Sequence, residues 1–435
     1  MLFATLLQNV MPYAAAAGLG PVALRGFAAR IAQGFQLKKI DWAIVVCFLY
    51  WIASYFWSGG TFQNMTEILF WRRDGLILVT LPIFFCLLAI SLRPRVLTVV
   101  WVAFVVILGL AGVIGTIVDL NLPHPRFFDS LYLVEYDPGM GQEMFLAWYL
   151  AHNTTGGIYS LAALISLALL QERVGKKYSF LAWLVLLACL SGLAFSYSRG
   201  AYLGFAAGAA IIFPWKKAGR ALKTALLVVV PILLLLLFTS SVLDRIDTIS
   251  DPYYGTNVSR VTLWEEALED FKWSPVVGIG FSRYNDEYLK FWGVKGVVWV
   301  AVHGQVINLD SHAHNSYFQF LAEGGILGLL ISMSIWWFGW EELSFFEQKL
   351  PASKLHWLHR ASKGCLVGIL VMSLTEHMLG EGSVVLSLMS VLGMTLAASR
   401  SELAAVESKA TKRRTAAERA VLATAQNPTL AGPVR

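Results

Sequence analysis

Charge is the scarcest ingredient of this chain. Asp, Glu, Lys and Arg together make up 14% of its 435 residues, against about a quarter in a soluble domain. So little charge cannot cover a water-facing surface, which excludes an ordinary soluble globule. Cysteine is scarce too. Cys47, Cys86, Cys189 and Cys365 each sit inside an apolar block, with no CxxC or metal-like spacing. They read as buried membrane thiols. No Asp-x-Asp sequence occurs anywhere, which argues against paired carboxylates holding a divalent metal.

What the chain has is apolar length. Hydrophobic types are 57% of it and the mean hydropathy is +0.61. The apolar residues come in blocks, not at an amphipathic period: 225–238 is nearly pure aliphatic and 96–118 has no charge. A helix needs about 20 apolar residues to cross the hydrocarbon core. Spans are expected near 2–20, 40–58, 75–92, 96–118, 153–171, 178–197, 200–215, 221–240, 314–340, 364–380 and 383–399. Residues 1–20 lack a basic start before the apolar run and read as a first span, not a cleaved signal. A hairpin in the first 39 residues would make twelve spans of these eleven. The expected fold is an all-α polytopic transmembrane bundle. Its N-terminal part is 1–239. A large external loop, partly helical, covers 240–313 and caps the outer face. Further membrane helices cover 314–399, and a basic tail covers 400–435.

Loop charge sets the orientation. The segments 21–39, 93–95, 172–177, 216–220 and 341–363, with Lys223 and the tail after Ser399, hold 24 of the 34 Lys and Arg residues. They read as cytoplasmic, and the tail as a lipid-headgroup contact more than a nucleic-acid arm. The opposite side carries two long loops, 119–152 and 240–313. Loops of that length are usually functional or disordered, and the second, with Trp264, Trp273, Trp292 and Trp299, has the composition of a folded one.

Candidate chemistry clusters at that external side. Asn257 or Ser259 can cap a helix in which Val261, Trp264, Leu268 and Phe271 recur at helical spacing. Arg260 then falls in its first turn, where a cation is disfavoured unless an anion docks between it and the free N–H groups. The alternative is an ordinary pairing with Glu265 or Glu266. Gly278-Ile279-Gly280 reads as a turn after Pro275. Arg199, in Ser196-Tyr197-Ser198-Arg199-Gly200, lies at membrane depth and either faces a cavity or snorkels. His312-Ala313-His314-Asn315 closes the large loop. An imidazole there suits general-base work near neutral pH. A metal pair with His303 and Asp310, or a structural role, is the alternative. Glu323 sits two to three turns into the following helix, among Gly324, Gly325 and Gly328, and needs a polar partner. Glu376 and His377 in a later span, with Asp119 and His152 beside the smaller loop, rank behind these.

Three of these stretches carry a resemblance. SYSRGAYLG at 196–204, RVTLWEEALEDFKWSPVVGIG at 260–280 and HNSYFQFLAEGGILG at 314–328 resemble the bacterial O-antigen ligase and polymerase superfamily. The last matches the ligase pattern of His-Asn, nine residues, Gly, two residues, Gly, and the likeness covers about 180–340. Where some ligases place Leu four residues after the loop arginine, this chain has Trp264. The resemblance implies an inner-membrane enzyme acting on the periplasmic face. It would transfer a glycan from undecaprenyl pyrophosphate to lipid A–core (ligase) or to another lipid-linked repeat unit (polymerase), inverting and with no metal or other cofactor. It implies His314 as base and Arg199 and Arg260 on the pyrophosphate, with Asn315, Glu323, His312 and Arg283 supporting. No nucleic acid is expected as a partner. Membrane lipids are. A protein glycosyltransferase, a transporter or flippase, and a metallohydrolase using His303, His312 and His314 are the competing readings.

Overall fold

Apolar blocks broken by polar turns leave a chain one stable option in a bilayer, helices that satisfy their own backbone. The computed structural model describes residues 20–62 and 75–119 apart from a few positions, then 134–137, 142–145, 152–171, 176–213, 255–284, 299–302, 305–308 and 312–426. Its helices are α1 (Lys39–Trp57), α2 (Gly75–Leu87), α3 (Pro94–Asp119), α4 (His152–Gln171), α5 (Lys176–Ala194), α6 (Arg199–Ile212), α7 (Gly255–Trp273), α8 (Ser316–Lys349), α9 (His356–Met372) and α10 (Gly382–Gln426). Five of them are long and apolar enough to cross a membrane, and three apolar helices are shorter. The protein is a polytopic helical bundle. The spans expected at 2–20 and 221–240 lie outside the described residues. Two small antiparallel hairpins join the helices: β1 (Val134–Asp137) with β2 (Gln142–Phe145), and β3 (Trp299–Val302) with β4 (Gln305–Asn308). They pair Val134 with Phe145 and Trp299 with Asn308. Both fall in the long loops, so the large loop holds a hairpin as well as a helix.

Several expected boundaries move. The span expected at 364–380 is α9, ending at Met372, so Glu376 and His377 lie in a turn beyond it. The polar first half of α9 tolerates burial because its charges are matched. Lys363 Nζ meets Glu347 Oε2 at 2.5 Å, and His359 Nε2 is 2.7 Å from Ser399 Oγ. The last helix does not stop at residue 399 but runs on to Gln426. Ala, Glu, Lys and Arg dominate its second half, all strong helix formers, and residues 404–419 are exposed.

Small residues set the closest packing. Gly204 and Gly208 of α6 face Gly368 and Gly364 of α9. A methyl at Gly204 or Gly208 would run into the carbonyl oxygen of its partner. This spacing of four lets two backbones touch. Tyr159 of α4 fills the notch left by Gly112 and Gly192 and donates to Leu108 O at 2.8 Å. At one end of the bundle the chain is dense in ion pairs. Buried Asp41 takes Arg30 at 2.8 Å and Arg400 at 3.3 Å, and Arg400 also reaches Glu342 at 2.8 Å. The other end holds the candidate site.

Candidate active site

The starts of α4, α6, α8 and α10 and the end of α9 meet at that end. Asn315 caps α8, its Oδ1 accepting from Tyr317 N at 2.9 Å and Phe318 N at 3.1 Å. Such a cap stabilises a helix by about 1 kcal/mol. Its amide donates to Leu374 O at 2.8 Å, and Ser316 N donates to Ser373 O at 2.9 Å. The backbone N–H of Leu379 donates to Ser316 Oγ at 3.1 Å. The start of α8 is thus stitched to the 373–381 turn between α9 and α10. On the far side of that turn lies α6. Its Gly200 sits so close that a methyl there would overlap Thr375 Oγ1 and come within 3.7 Å of Glu376 Cγ. The glycine contact of α6 with α9 therefore brings the N-terminus of α6, with Arg199 at its first position, beside Glu376. The start of α4 completes the ring: Ser198 Oγ donates to Asn153 Oδ1 at 2.8 Å, and Thr154 Oγ1 to Glu381 Oε2 at 3.2 Å.

Glu376 is the centre of this arrangement. Its side chain is 2% exposed, its Oε2 lies 2.9 Å from His314 Nδ1, and its Oε1 accepts from Arg260 Nη2. Burial pushes the Glu376 carboxyl up. The opposing pull of His314, through charge and hydrogen bond, then of Arg260 and His152, outweighs it and holds the group below its ordinary value. An ionised carboxylate only accepts. Whenever His314 sheds its second proton, the carboxylate therefore keeps the remaining one on Nδ1 and leaves Nε2 with its lone pair. The backbone N–H of His314 donates to Nδ1 of His312 at 3.1 Å, so that nitrogen is an acceptor, and the two rings lie 4.4 Å apart. The His377 ring is 5.3 Å from that of His312.

Backbone strain gathers at the same place. The non-glycine residues with left-handed backbone are Tyr197 (φ 49°), Ser282 (φ 59°) and His314 (φ 47°) among the described residues. Each costs about 1–3 kcal/mol and persists where surroundings enforce it. One is the candidate base, one precedes Arg283, and one stands two residues before Arg199.

The sequence expectations meet this geometry unevenly. Arg260 and His314 share one carboxylate, and Arg199 opens α6 next to it. α7 begins at Gly255, so Arg260 lies in its second turn, not its first, and its partner is Glu376, not Glu265 or Glu266. The reason is tertiary: α7 packs against the first turns of α8, and Glu376 lies under that contact. Glu323 does not touch His314. It accepts from Gln319 Nε2 at 3.0 Å and Tyr284 N at 3.3 Å, and Gln319 Oε1 accepts from Ala313 N at 2.9 Å. It braces the strand of chain leading into His314. Arg283 lies in the turn after Gly280, with its N–H on Gly280 O at 3.2 Å. His303 and Asp310 lie outside the described residues. Asp119 ends α3, and His152 starts α4 with its charge felt at Glu376. Among the described residues no group of three or more His, Cys, Asp or Glu side chains is placed to hold a metal ion.

Glu376 itself was visible only as an acid in apolar surroundings. A buried carboxylate has to find cations, and that is the one signal that singles it out.

Fold and site together define a multi-pass helical membrane protein with a guanidinium, an imidazole and a carboxylate in contact at one end. Residues 182–333 match the family model described as O-Antigen ligase, so this segment is similar to that family. No curated protein matches it. The matched segment runs from α5 into α8 and includes Arg199, Arg260 and His314. Glu376 lies beyond it.

Proposed function

We propose that the protein is an O-antigen ligase. It transfers a glycan from undecaprenyl pyrophosphate to a sugar hydroxyl of lipid A–core on the periplasmic face of the bacterial inner membrane. The observation that carries this reading is the shared carboxylate. Glu376 holds an imidazole and a guanidinium side by side, the two groups that a transfer from a diphosphate carrier requires.

In this reaction the acceptor hydroxyl oxygen attacks the anomeric carbon of the donor from the face opposite the carrier. His314 Nε2 takes the hydroxyl proton as the new C–O bond forms. The bond from the anomeric carbon to the phosphate oxygen breaks, and its electron pair leaves with the pyrophosphate. A guanidinium has five N–H donors, so Arg260 bound to Glu376 keeps others for phosphate oxygens, and Arg199 supplies a second cation. Donors aimed at developing charge in a site shielded from water usually lower the barrier of such a reaction more than any other single effect. Glu376 offsets the imidazolium that forms, as the carboxylate of a Ser-His-Asp triad does. Asn315, Glu323, His312 and Arg283 support these groups, and the large loop excludes water from the donor.

The polymerase reading uses the same chemistry, and the family match favours both. One experiment separates them. In a strain lacking the gene, core without O-chains and accumulated lipid-linked polymer indicates a ligase; core bearing one repeat unit indicates a polymerase. In the same strain His314→Ala, Arg260→Ala and Arg199→Ala are each expected to abolish O-chain transfer while the protein stays in the membrane. Loss of the base alone is worth about 10²–10⁴-fold. Full complementation by any one of them removes that residue from the site.

A further inference from the structure

One carboxyl next to this site is built in a way the mechanism does not use. Glu266, on the buried face of α7 two turns after Arg260, is 8% exposed. Its Oε1 is buried with no hydrogen-bond partner among the described residues. Its Oε2 lies 3.4 Å from Tyr284 Oη. That hydroxyl has one proton, and the 2.5 Å contact with Leu263 O claims it. A carboxylate facing the lone pairs of Tyr284 would have one oxygen opposed by another acceptor and one with nothing at all. A buried anion in that state is strongly disfavoured. A neutral acid removes the conflict, donating its proton to Tyr284 Oη while Tyr284 donates to Leu263 O.

We propose that Glu266 is a positioning residue that works as an un-ionised carboxylic acid. The relay from Glu266 through Tyr284 to the Leu263 carbonyl clamps α7 to the 281–284 turn and so holds Arg260 over Glu376. Tyr284 also takes this clamp to α8, because its backbone N–H donates to Glu323. The titratable groups that act on Glu266 are Asp270 on the same helix and Tyr284 in the turn, and Tyr284 in turn feels Asp270 and Glu323 of α8. Burial, then the Asp270 charge, push the Glu266 carboxyl up to about 8, with the Tyr284 contact opposing them. A carboxyl raised in the folded state contributes stability that is complete below the ordinary carboxylate range. That stability is lost as pH rises through the folded value. The clamp therefore weakens in mildly alkaline medium.

The assignment of Arg260 to the transfer reaction rests on the function proposed above, so the test has two independent readouts. The first is the melting temperature of the full-length protein in detergent from pH 6 to 9, for wild type, Glu266→Gln and Glu266→Asp. Wild type should lose stability across this range. Glu266→Gln, neutral at every pH and able to donate to Tyr284, should lose less, so that its margin over wild type widens from pH 6 to pH 8. The second is glycan transfer. The ratio of Glu266→Gln to wild type should be near one at pH 7 and rise to about tenfold at pH 9, the factor by which a group ionising near 8 is then depleted of its neutral form. Identical pH slopes for the two proteins would overturn the proposal. So would a Glu266→Gln that fails at pH 7 while Glu266→Asp is active, since that pattern requires the anion. If transfer is absent in all three proteins but the melting curves diverge as described, the reaction reading falls and the neutral clamp stands.

Discussion

A single buried side chain, Glu376, answers to both candidate groups, so its removal should look different from the removal of either. Glu376→Gln keeps the shape and one acceptor oxygen but loses the charge. His314 is then no longer held with its proton on Nδ1, and Arg260 loses its anchor. Transfer is expected to fall by about 10²–10⁴-fold, the range of lost general-base help, with donor affinity also reduced. Stability carries a separate signature. Burial pushes the Glu376 carboxyl up, but His314, Arg260 and His152 together hold it below its ordinary value. Its contribution to folding is therefore present above the ordinary carboxylate range and is lost as pH falls through the lowered value. Melting temperatures of wild type should drop at the acid end, and those of Glu376→Gln should start lower and vary less there. A variant that transfers glycan at the wild-type rate would separate Glu376 from the chemistry.

At the scale of the elements, the large loop is held by a break in a helix. Gly325, in the third turn of α8, has φ 59° and ψ −163°. The two carbonyls and two N–H groups released by the break are taken by the chain after α7. Ile279 N and Gly280 N donate to Ala322 O and Glu323 O, each at 2.9 Å, while Ile326 N and Leu327 N donate to Pro275 O and Val276 O at 2.9 and 3.1 Å. Tyr50 of α1 adds a hydrogen bond to Gly324 O at 2.6 Å. Gly278 faces the Glu323 backbone so closely that any Cβ would overlap it. Either Gly325→Ala or Gly278→Ala should thus destabilise the protein by about 1–3 kcal/mol and loosen the register between Arg260 and His314. Thermal unfolding in detergent would show the first effect and the transfer assay the second; an unchanged melting temperature would mean that the segment is not docked this way. The Gly-x-Gly pair after Pro275 was legible as a turn, and the glycines after His314 as close-packing residues. Their joint purpose was not, because a break in one helix completed by another segment leaves no periodic trace in either. The helices themselves were readable, since bilayer thickness ties span length to apolar run length. Arg260 and His314 stood out as misplaced or titratable groups. What joins them did not, because Glu376 reaches them through a turn 62 residues downstream of His314.

For the molecule as a whole, the two ends of the bundle use charge in opposite ways. At the site end, His314 and Arg260 are 30% and 19% exposed around a buried acid, open to a ligand. At the other end Asp41 is fully buried with Arg30, and Arg400 is shared between Asp41 and Glu342. Arg30 and Arg400 also donate to the carbonyls of Phe85 and Leu88 at 3.0 and 3.3 Å. This network ties the chain before α1, α1 itself, the end of α2, the end of α8 and the middle of α10 into one knot. Removing one partner of a buried ion pair costs about 3–5 kcal/mol because the stranded charges remain in a poor solvent. Asp41→Asn should therefore lower the melting temperature sharply and reduce the amount of folded protein in the membrane. The knot sits at the ends of α1 and α8 opposite the site and midway along α10, and it fixes how those helices lean, not what His314 or Arg260 touches. Transfer per folded molecule should then stay close to wild type, measured against the amount of correctly folded protein recovered. A variant that folds normally yet transfers poorly would mean that the tilt of α8, set at one end, governs the geometry of its N-terminus at the other.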